Sequence, residues 1–229
     1  MIPTVFHQIW IHRDRPALPA EFAALRDSWL RLHPTWTYRL WNLDKLDFAP
    51  RRPELIAQCS SYAQMADVLR LEILLAHGGV YIDTDFECFR PIDALVAPAR
   101  VFACSENGSA ISTGILGAEP GAALVERLLM SLPARIGHAM PNQETGPGHV
   151  TRELLRGGFD GTLTLFPSAC FYPYAAGEPR ATALSHPQAY AAHHWAHSWA
   201  QPEDRNRWLR LRRRVLSALG LQPARRQPG

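Results

Sequence analysis

The stretch Asp67-Val-Leu-Arg70-Leu-Glu-Ile-Leu-Leu-Ala-His77-Gly78-Gly79-Val-Tyr81-Ile-Asp83-Thr-Asp85 decides the fold. Met65, Val68, Leu69, Glu72 and Leu75 recur at helical spacing, which predicts a mostly buried helix over residues 62–77. Gly78 and Gly79 end it, because glycine enters the left-handed cap conformation without steric cost. Val80, Tyr81 and Ile82 then read as a short buried strand, from which the chain emerges as Asp-Thr-Asp. Ligands of open α/β sheets bind beyond the carboxyl ends of strands. Two carboxylates one residue apart repel each other unless a cation stands between them, and a divalent metal is the simplest candidate.

Working outward from that stretch, residues 2–11 form a β-branched and aromatic run of strand character. Pro19 opens a helix through about Leu32, with Phe22, Leu25, Trp29 and Leu32 on one face, and His33-Pro34 closes it. Residues 36–41 alternate as a second strand, and a broken section rich in Pro and Arg precedes the long helix. After Asp85, strands are expected near 100–104, 111–117, 162–166 and 189–195, and helices near 121–132 and 150–156. The run 141–148 reads as a loop. These alternations predict one α/β domain over residues 1–204, built on a mixed, mostly parallel sheet flanked by helices, with a basic helix and tail over 205–229.

The chain has 229 residues, with no apolar run of membrane-spanning length and no basic-then-apolar leader at its start. Cys59, Cys88, Cys104 and Cys170 lie far apart, without zinc or redox spacing, so reduced thiols in a cytoplasmic protein are expected. The formal net charge of +3 hides an asymmetry. Residues 205–229 hold eight arginines and no acid, leaving the preceding residues at about −5.

Several segments resemble one family. His7-Gln-Ile-Trp10-Ile, Trp36-x-Tyr-Arg-Leu-Trp41, Asp67-x-x-Arg70, Gly78-Gly-Val-Tyr-Ile-Asp83-Thr-Asp85 and His193-His194-Trp-x-x-Ser198-Trp199 occur in this order. Together they resemble the DXD-containing glycosyltransferase family 32, which includes yeast mannosyltransferases and bacterial polysaccharide enzymes and is related to glucosylating clostridial toxins. The resemblance covers roughly residues 2–200. It departs from the usual pattern at His12 (Gly), Asn42 (Asp), Ala66 (Ser) and His197 (Gly). The resemblance implies a GT-A fold, Mn²⁺ or Mg²⁺, a UDP- or GDP-hexose donor, and retention of anomeric configuration.

On that basis Asp83, Asp85, Asp67 and Arg70 are expected to carry the chemistry. A leaving sugar diphosphate is strongly anionic, and hard carboxylate oxygens hold the hard cation that neutralises it. Asp85 is the expected direct ligand, while Asp83 contacts sugar or ribose and shares in the metal. His193, with His194 second, completes the metal set as a neutral imidazole. Asp67 and Arg70 contact the donor sugar; the same pair would otherwise be a surface ion pair of about 0.5 kcal/mol or less. Trp10 stacks on the base, and Ser198 and Trp199 cap the diphosphate. Thr145-Gly146-Pro147-Gly148 is either an element of the acceptor side or a turn leading into a helix. A metal-dependent phosphoester hydrolase and a silent sugar-nucleotide-binding module are the competing readings.

The tail places Trp208, Leu211, Val215 and Leu219 on one side of a basic amphipathic helix. Anionic membrane, at the inner face of a bilayer that carries a saccharide or lipid-linked acceptor, is the expected partner, and no nucleic-acid motif accompanies the charge. Removing residues 205–229 should abolish sedimentation with anionic liposomes, and high salt should release the full-length chain. A truncated protein that aggregates or loses its thermal transition would place the helix in the core instead.

Overall fold

The structure, a computed structural model, describes residues 1–12, 17–43, 46–158 and 161–196. In chain order the elements are β1 (Val5–Ile9), α1 (Ala20–Leu32), β2 (Thr37–Trp41), α2 (Pro53–Gln58), α3 (Tyr62–His77) and β3 (Gly79–Ile82). They continue with β4 (Phe86–Cys88), α4 (Asp93–Val96), β5 (Val101–Ser105), β6 (Ile111–Ala118), α5 (Ala123–Met130) and α6 (Pro141–Glu144). The last are α7 (Pro147–Gly157), β7 (Leu163–Phe166) and β8 (Ala191–His193).

The long helix falls where the apolar spacing places it. Ser61 caps α3 by accepting from the Gln64 N–H at 3.2 Å. At the other end, Gly78 and Gly79 take φ values of 64° and 92°. A Cβ on Gly78 would lie 2.6 Å from Pro120, and one on Gly79 would lie 2.6 Å from Val5. Glycine is therefore required twice over at both positions, by backbone conformation and by the closeness of Pro120 to Gly78 and of β1 to Gly79.

The main sheet runs β2-β1-β3-β6-β5-β7. β1 is parallel to β2 and β3, β5 is parallel to β7, and β6 is antiparallel to both its neighbours. Five strands thus point one way and β6 alone is reversed. Both faces are covered. Tyr81 joins the core formed with α3, α5 and α7, while Val80 and Ile82 join Phe6, Trp29, Phe86, Phe102 and Phe171 on the other side. A second, two-stranded sheet pairs β4 with β8, setting Phe86 opposite His193.

Several boundaries differ from the sequence reading. Strand 2–11 is trimmed to Val5–Ile9, and 189–195 to Ala191–His193. α2 lies in the section read as broken: Pro53 opens it, and the Glu72 carboxylate caps it by accepting from the Arg51 and Arg52 N–H groups at 2.9 and 2.7 Å. That capping group comes from a distant helix, so no local pattern announces it. β4 has only three residues and α6 only four, too short for periodicity to register. The tail, residues 205–229, lies outside the described residues.

His7 ties this frame together. It is fully buried; its Nδ1 accepts from the Trp41 indole N–H at 2.9 Å, and its Nε2 meets the Gly78 carbonyl at 2.9 Å. The ring is therefore a neutral imidazole bridging β2, β1 and the glycine turn. Burial lowers its pKa from 6.5 to about 4, against the hydrogen bond to Gly78. A base whose folded pKa is depressed stabilises the fold above the unfolded value and loses that contribution as pH falls. Between pH 6.5 and 4 the loss should reach roughly 3 kcal/mol, at about 1.36 kcal/mol per unit. Asp67 and Asp83, whose pKa values are raised, titrate with the opposite sign. The measurement is therefore the difference in urea stability between wild type and His7→Gln across that interval, which should narrow as pH falls.

Candidate active site

The carboxyl ends of β1 and β3 and the N-terminal half of α3 meet at a cleft of about 230 Å³. Trp10, Asp67, Arg70, Asp83, Asp85 and His193, all singled out from the sequence, line it together. Ser198 and Trp199 lie outside the described residues.

Arg70 stands at the centre. Its Nη2 lies 3.2 Å from Asp67 Oδ1 and 3.5 Å from Asp83 Oδ1. Its Nε donates to the Ala66 carbonyl at 3.1 Å, Nη1 donates to the Thr113 carbonyl, and the guanidinium lies 4.5 Å from the Tyr81 ring centroid. Asp67 and Arg70 are 6% and 5% exposed, so the surface-pair reading of this helical spacing fails. Burial, opposed by Arg70 and by a hydrogen bond from Thr145, raises the Asp67 pKa to about 6. The Thr145 hydroxyl donates to Asp67 Oδ2 at 2.9 Å, and α7 begins two residues later at Pro147, which also lines the cleft. The Thr-Gly-Pro-Gly segment is thus a helix start and part of the cleft wall at once.

Asp83 leaves β3 with its N–H donating to the Gly114 carbonyl at 2.8 Å and its Oδ1 accepting from the Tyr81 hydroxyl at 2.6 Å. Its carbonyl accepts from Gln8 Nε2 at 3.3 Å, and Gln8 Oε1 in turn accepts from the Tyr38 hydroxyl at 2.9 Å. Gln8 therefore orients the acidic turn. Burial raises the Asp83 pKa, with Arg70 opposing.

Asp85 is enclosed by the β8 segment. The His194 N–H donates to its carbonyl at 2.9 Å, the Ala196 N–H to Oδ2 at 2.9 Å, and His193 Nε2 lies 3.0 Å from Oδ1. Burial opposes ionisation of Asp85, yet the bond and charge of His193 bring its pKa below the ordinary value. In the converse direction, burial lowers the His193 pKa but Asp85 and Asp83 raise it further. Trp195 follows with φ 53°, and its ring packs on His193 at 4.5 Å with an interplanar angle of 72°. A bulky residue with positive φ is a genuine outlier, and it lies on the cleft wall.

His194 takes no part in this cluster. Its Nε2 meets Glu87 Oε2 at 2.8 Å and its Nδ1 meets the Tyr174 hydroxyl at 2.7 Å. Successive residues leaving a strand face opposite sides, so His193 and His194 do not share one ion.

Asp83, Asp85 and His193 each offer a ligand atom, all within 4.8 Å of one another. Hard oxygens with one imidazole suit Mn²⁺ or Mg²⁺. The structure bears on the fit in two ways. The His193 Nδ1 is buried with no hydrogen-bond partner among the described residues. In addition, among the described residues lining the cleft, the four carboxylates of Asp67, Asp83, Asp85 and Glu106 stand against one guanidinium, Arg70, and two imidazoles, His12 and His193, so the lining carries an excess of acidic groups. The donor set accommodates a divalent ion.

At the other end, the rings of Trp10 and His12 lie 6.1 Å apart and 10° from parallel, and those of His12 and Tyr62 lie 6.2 Å apart and 21° from parallel. This flat aromatic wall suits a nucleobase. Sequence reading found Trp10 but passed over its two partners, along with Glu106, Tyr172, Thr113 and Gly114. Only position relative to strand ends would have singled these out.

The architecture is that of the GT-A fold. Residues 19–102, a little over a third of the chain, match the family described as "Glycosyltransferase sugar-binding region containing DXD motif", and through that stretch the chain is similar to it. Among its relatives, inositol phosphoceramide mannosyltransferase 3 of Schizosaccharomyces pombe is 32% identical over 138 residues, 58% of this chain and 37% of the relative. Mannosyl phosphorylinositol ceramide synthase CSH1 of Saccharomyces cerevisiae is 30% identical over 138 residues, 58% of this chain and 35% of the relative. The chain thus spans little more than a third of the length of these two relatives. Among solved structures, the PaToxG glycosyltransferase superposes with TM-score 0.52 at 16% identity over 68% of this chain and 70% of that one. The galactosyltransferase LgtC, in complex with donor and acceptor sugar analogs, superposes with TM-score 0.50 at 11% identity over 96% and 98%. At these identities the two structures establish a shared fold.

Gly114 offers a test of the site's geometry. A Cβ there would come 2.7 Å from the Tyr172 hydroxyl and 2.9 Å from Asp83 Oδ2. Gly114→Ala should lower affinity for Mn²⁺-nucleoside diphosphate by about tenfold, roughly 1.4 kcal/mol, while the thermal transition stays cooperative. Calorimetric titration showing wild-type affinity would mean that Asp83 tolerates displacement.

Proposed function

We propose that this protein is a metal-dependent, retaining glycosyltransferase that moves a hexose from UDP or GDP to a saccharide or lipid-linked hydroxyl. One observation carries the reading. A carboxylate–imidazole cluster (Asp83, Asp85, His193) adjoins a buried Asp67–Arg70–Asp83 array, and both open on one cleft with an aromatic wall. The mannosyltransferase names of the yeast relatives support a mannose donor.

The chain's own groups divide the work along the cleft. Trp10, His12 and Tyr62 receive the base. Arg70, pinned by two carboxylates and two carbonyls, presents a fixed positive charge to the donor and aligns Asp67, whose remaining lone pairs accept sugar hydroxyls. Asp85 and His193, with Asp83, would hold Mn²⁺ or Mg²⁺, which when bound neutralises charge on the departing diphosphate. The Trp195 ring shields this end from water. Bond breaking passes through an oxocarbenium-like state. Same-face attack, with the leaving phosphate oxygen taking the acceptor proton, is the preferred route to retention. The membrane surface remains the proposed partner of residues 205–229, with the protein peripheral at the cytoplasmic face. No described helix is long and apolar enough to cross a membrane.

Screening UDP-, GDP- and CMP-sugars with Mn²⁺ for a raised thermal transition identifies the donor, because a ligand that binds only the native state stabilises it. Asp85→Asn should cost at least about a hundredfold in donor turnover, or roughly 3 kcal/mol, as should EDTA. Arg70→Lys should lose a similar amount without the misfolding expected of Arg70→Ala, which would leave Asp67 and Asp83 buried and unpaired. Wild-type turnover in EDTA would refute the metal; release of phosphate from simple phosphoesters would favour a hydrolase.

A further inference from the structure

Among the cleft's charged groups, the transferase reading leaves one unused. Glu106 follows the carboxyl end of β5, as Trp10 follows β1 and Asp83 follows β3. Its turn is held by its own bonds: the Glu106 N–H donates to the Ala110 carbonyl at 2.8 Å, Asn107 Oδ1 accepts from the Ser109 and Ala110 N–H groups at 3.1 Å each, and Ser105 Oγ accepts from the Gly108 N–H at 2.8 Å. The half-buried Glu106 carboxylate lines the cleft, and no hydrogen bond or ion pair joins it to another described residue. A carboxylate so enclosed, with its turn satisfied around it, is placed to receive a ligand's donors.

Strand order says which part of a ligand that is. Along β1-β3-β6-β5, the aromatic wall stands over β1, the Asp83–Asp85 turn over β3 and Glu106 over β5. With strands about 4.8 Å apart, the wall and Glu106 are separated by three spacings, roughly 14 Å. A donor whose base lies on Trp10 and whose phosphates lie at Asp85 therefore has Glu106 on its far side. We propose that Glu106 binds the acceptor, and that the acceptor is a polyol. The carboxylate accepts hydrogen bonds from hydroxyls next to the attacking one and sets that oxygen against the anomeric carbon. The bond from that oxygen to the carbon forms while the carbon–oxygen bond to the nucleoside diphosphate breaks. The diphosphate leaves with the bonding pair and takes the hydroxyl proton.

This assignment rests on the transferase reading, and one experiment separates the two. The probes are the sugar nucleotide selected by thermal stabilisation, Mn²⁺, and methyl α-D-mannopyranoside or myo-inositol at about 0.1 M. Transfer to the polyol and hydrolysis to water are measured together. Glu106→Ala should lower the transfer-to-hydrolysis ratio at least tenfold and raise the KM for polyol, and Glu106→Gln, which keeps the shape, should fall between. Affinity for Mn²⁺-nucleoside diphosphate should stay within threefold. An unchanged ratio in both variants would show Glu106 to be an ordinary turn acid, and lost diphosphate affinity would assign it to the donor site; either overturns the proposal. So would a wild-type protein that hydrolyses donor but transfers to neither polyol. A wild-type protein that consumes no sugar nucleotide refutes the transferase reading itself.

Discussion

The structure depends on a guanidinium kept out of water. Arg70 is 5% exposed and has two carboxylates, two carbonyls and an aromatic face around it. Such a cation is stable only where the surrounding groups are fixed, because desolvation costs several kcal/mol per ion and is offset only by well-formed partners. These partners come from three places: Asp67 and Ala66 from α3, Thr113 from β6, Asp83 and Tyr81 from β3 and its exit. Burying Arg70 thus fixes the helix, the reversed strand and the acidic turn relative to one another before any ligand arrives. This is the preorganisation that charge stabilisation requires.

Around that centre, polar residues in strands serve as brackets. His7 and Gln8 look out of place in a central strand, yet one locks the glycine turn and the other holds the backbone of Asp83. The His-Gln-Ile-Trp run therefore spends two residues on holding the turn and a third, Trp10, on the cleft wall. Glu72 does the same for α2 from within α3.

How much of this was legible depended on where the information lay. α3, its glycine stop and β3 were read to within a residue because burial imposes a period and the turn imposes glycine. The Asp-x-Asp turn was legible because strand ends collect ligands. α2, α4, α6 and β4 were not, since each is too short to show a period and is held by groups distant in sequence. Glu106 was missed because Glu-Asn-Gly-Ser reads as a solvated turn until β5 is known to lie parallel to β3. His194 was placed beside His193 because adjacency in sequence looks like adjacency in space. Strand geometry separates them, and Glu87 and Tyr174 receive His194 instead.

The pairing of β4 with β8 carries a consequence for how the chain is made. Ala196 closes on Asp85 across 111 residues of sequence. A nascent chain exposes its acidic turn long before His193 and Ala196 leave the ribosome. Arg70 is then the acids' nearby cationic partner, since its contacts within α3 and β3 are local. Long-range closures are the slow steps of folding. The sheet and its buried arginine can therefore assemble first, with the cleft's last wall added only after β8 has emerged, so that the half of the cleft around Asp85 matures late.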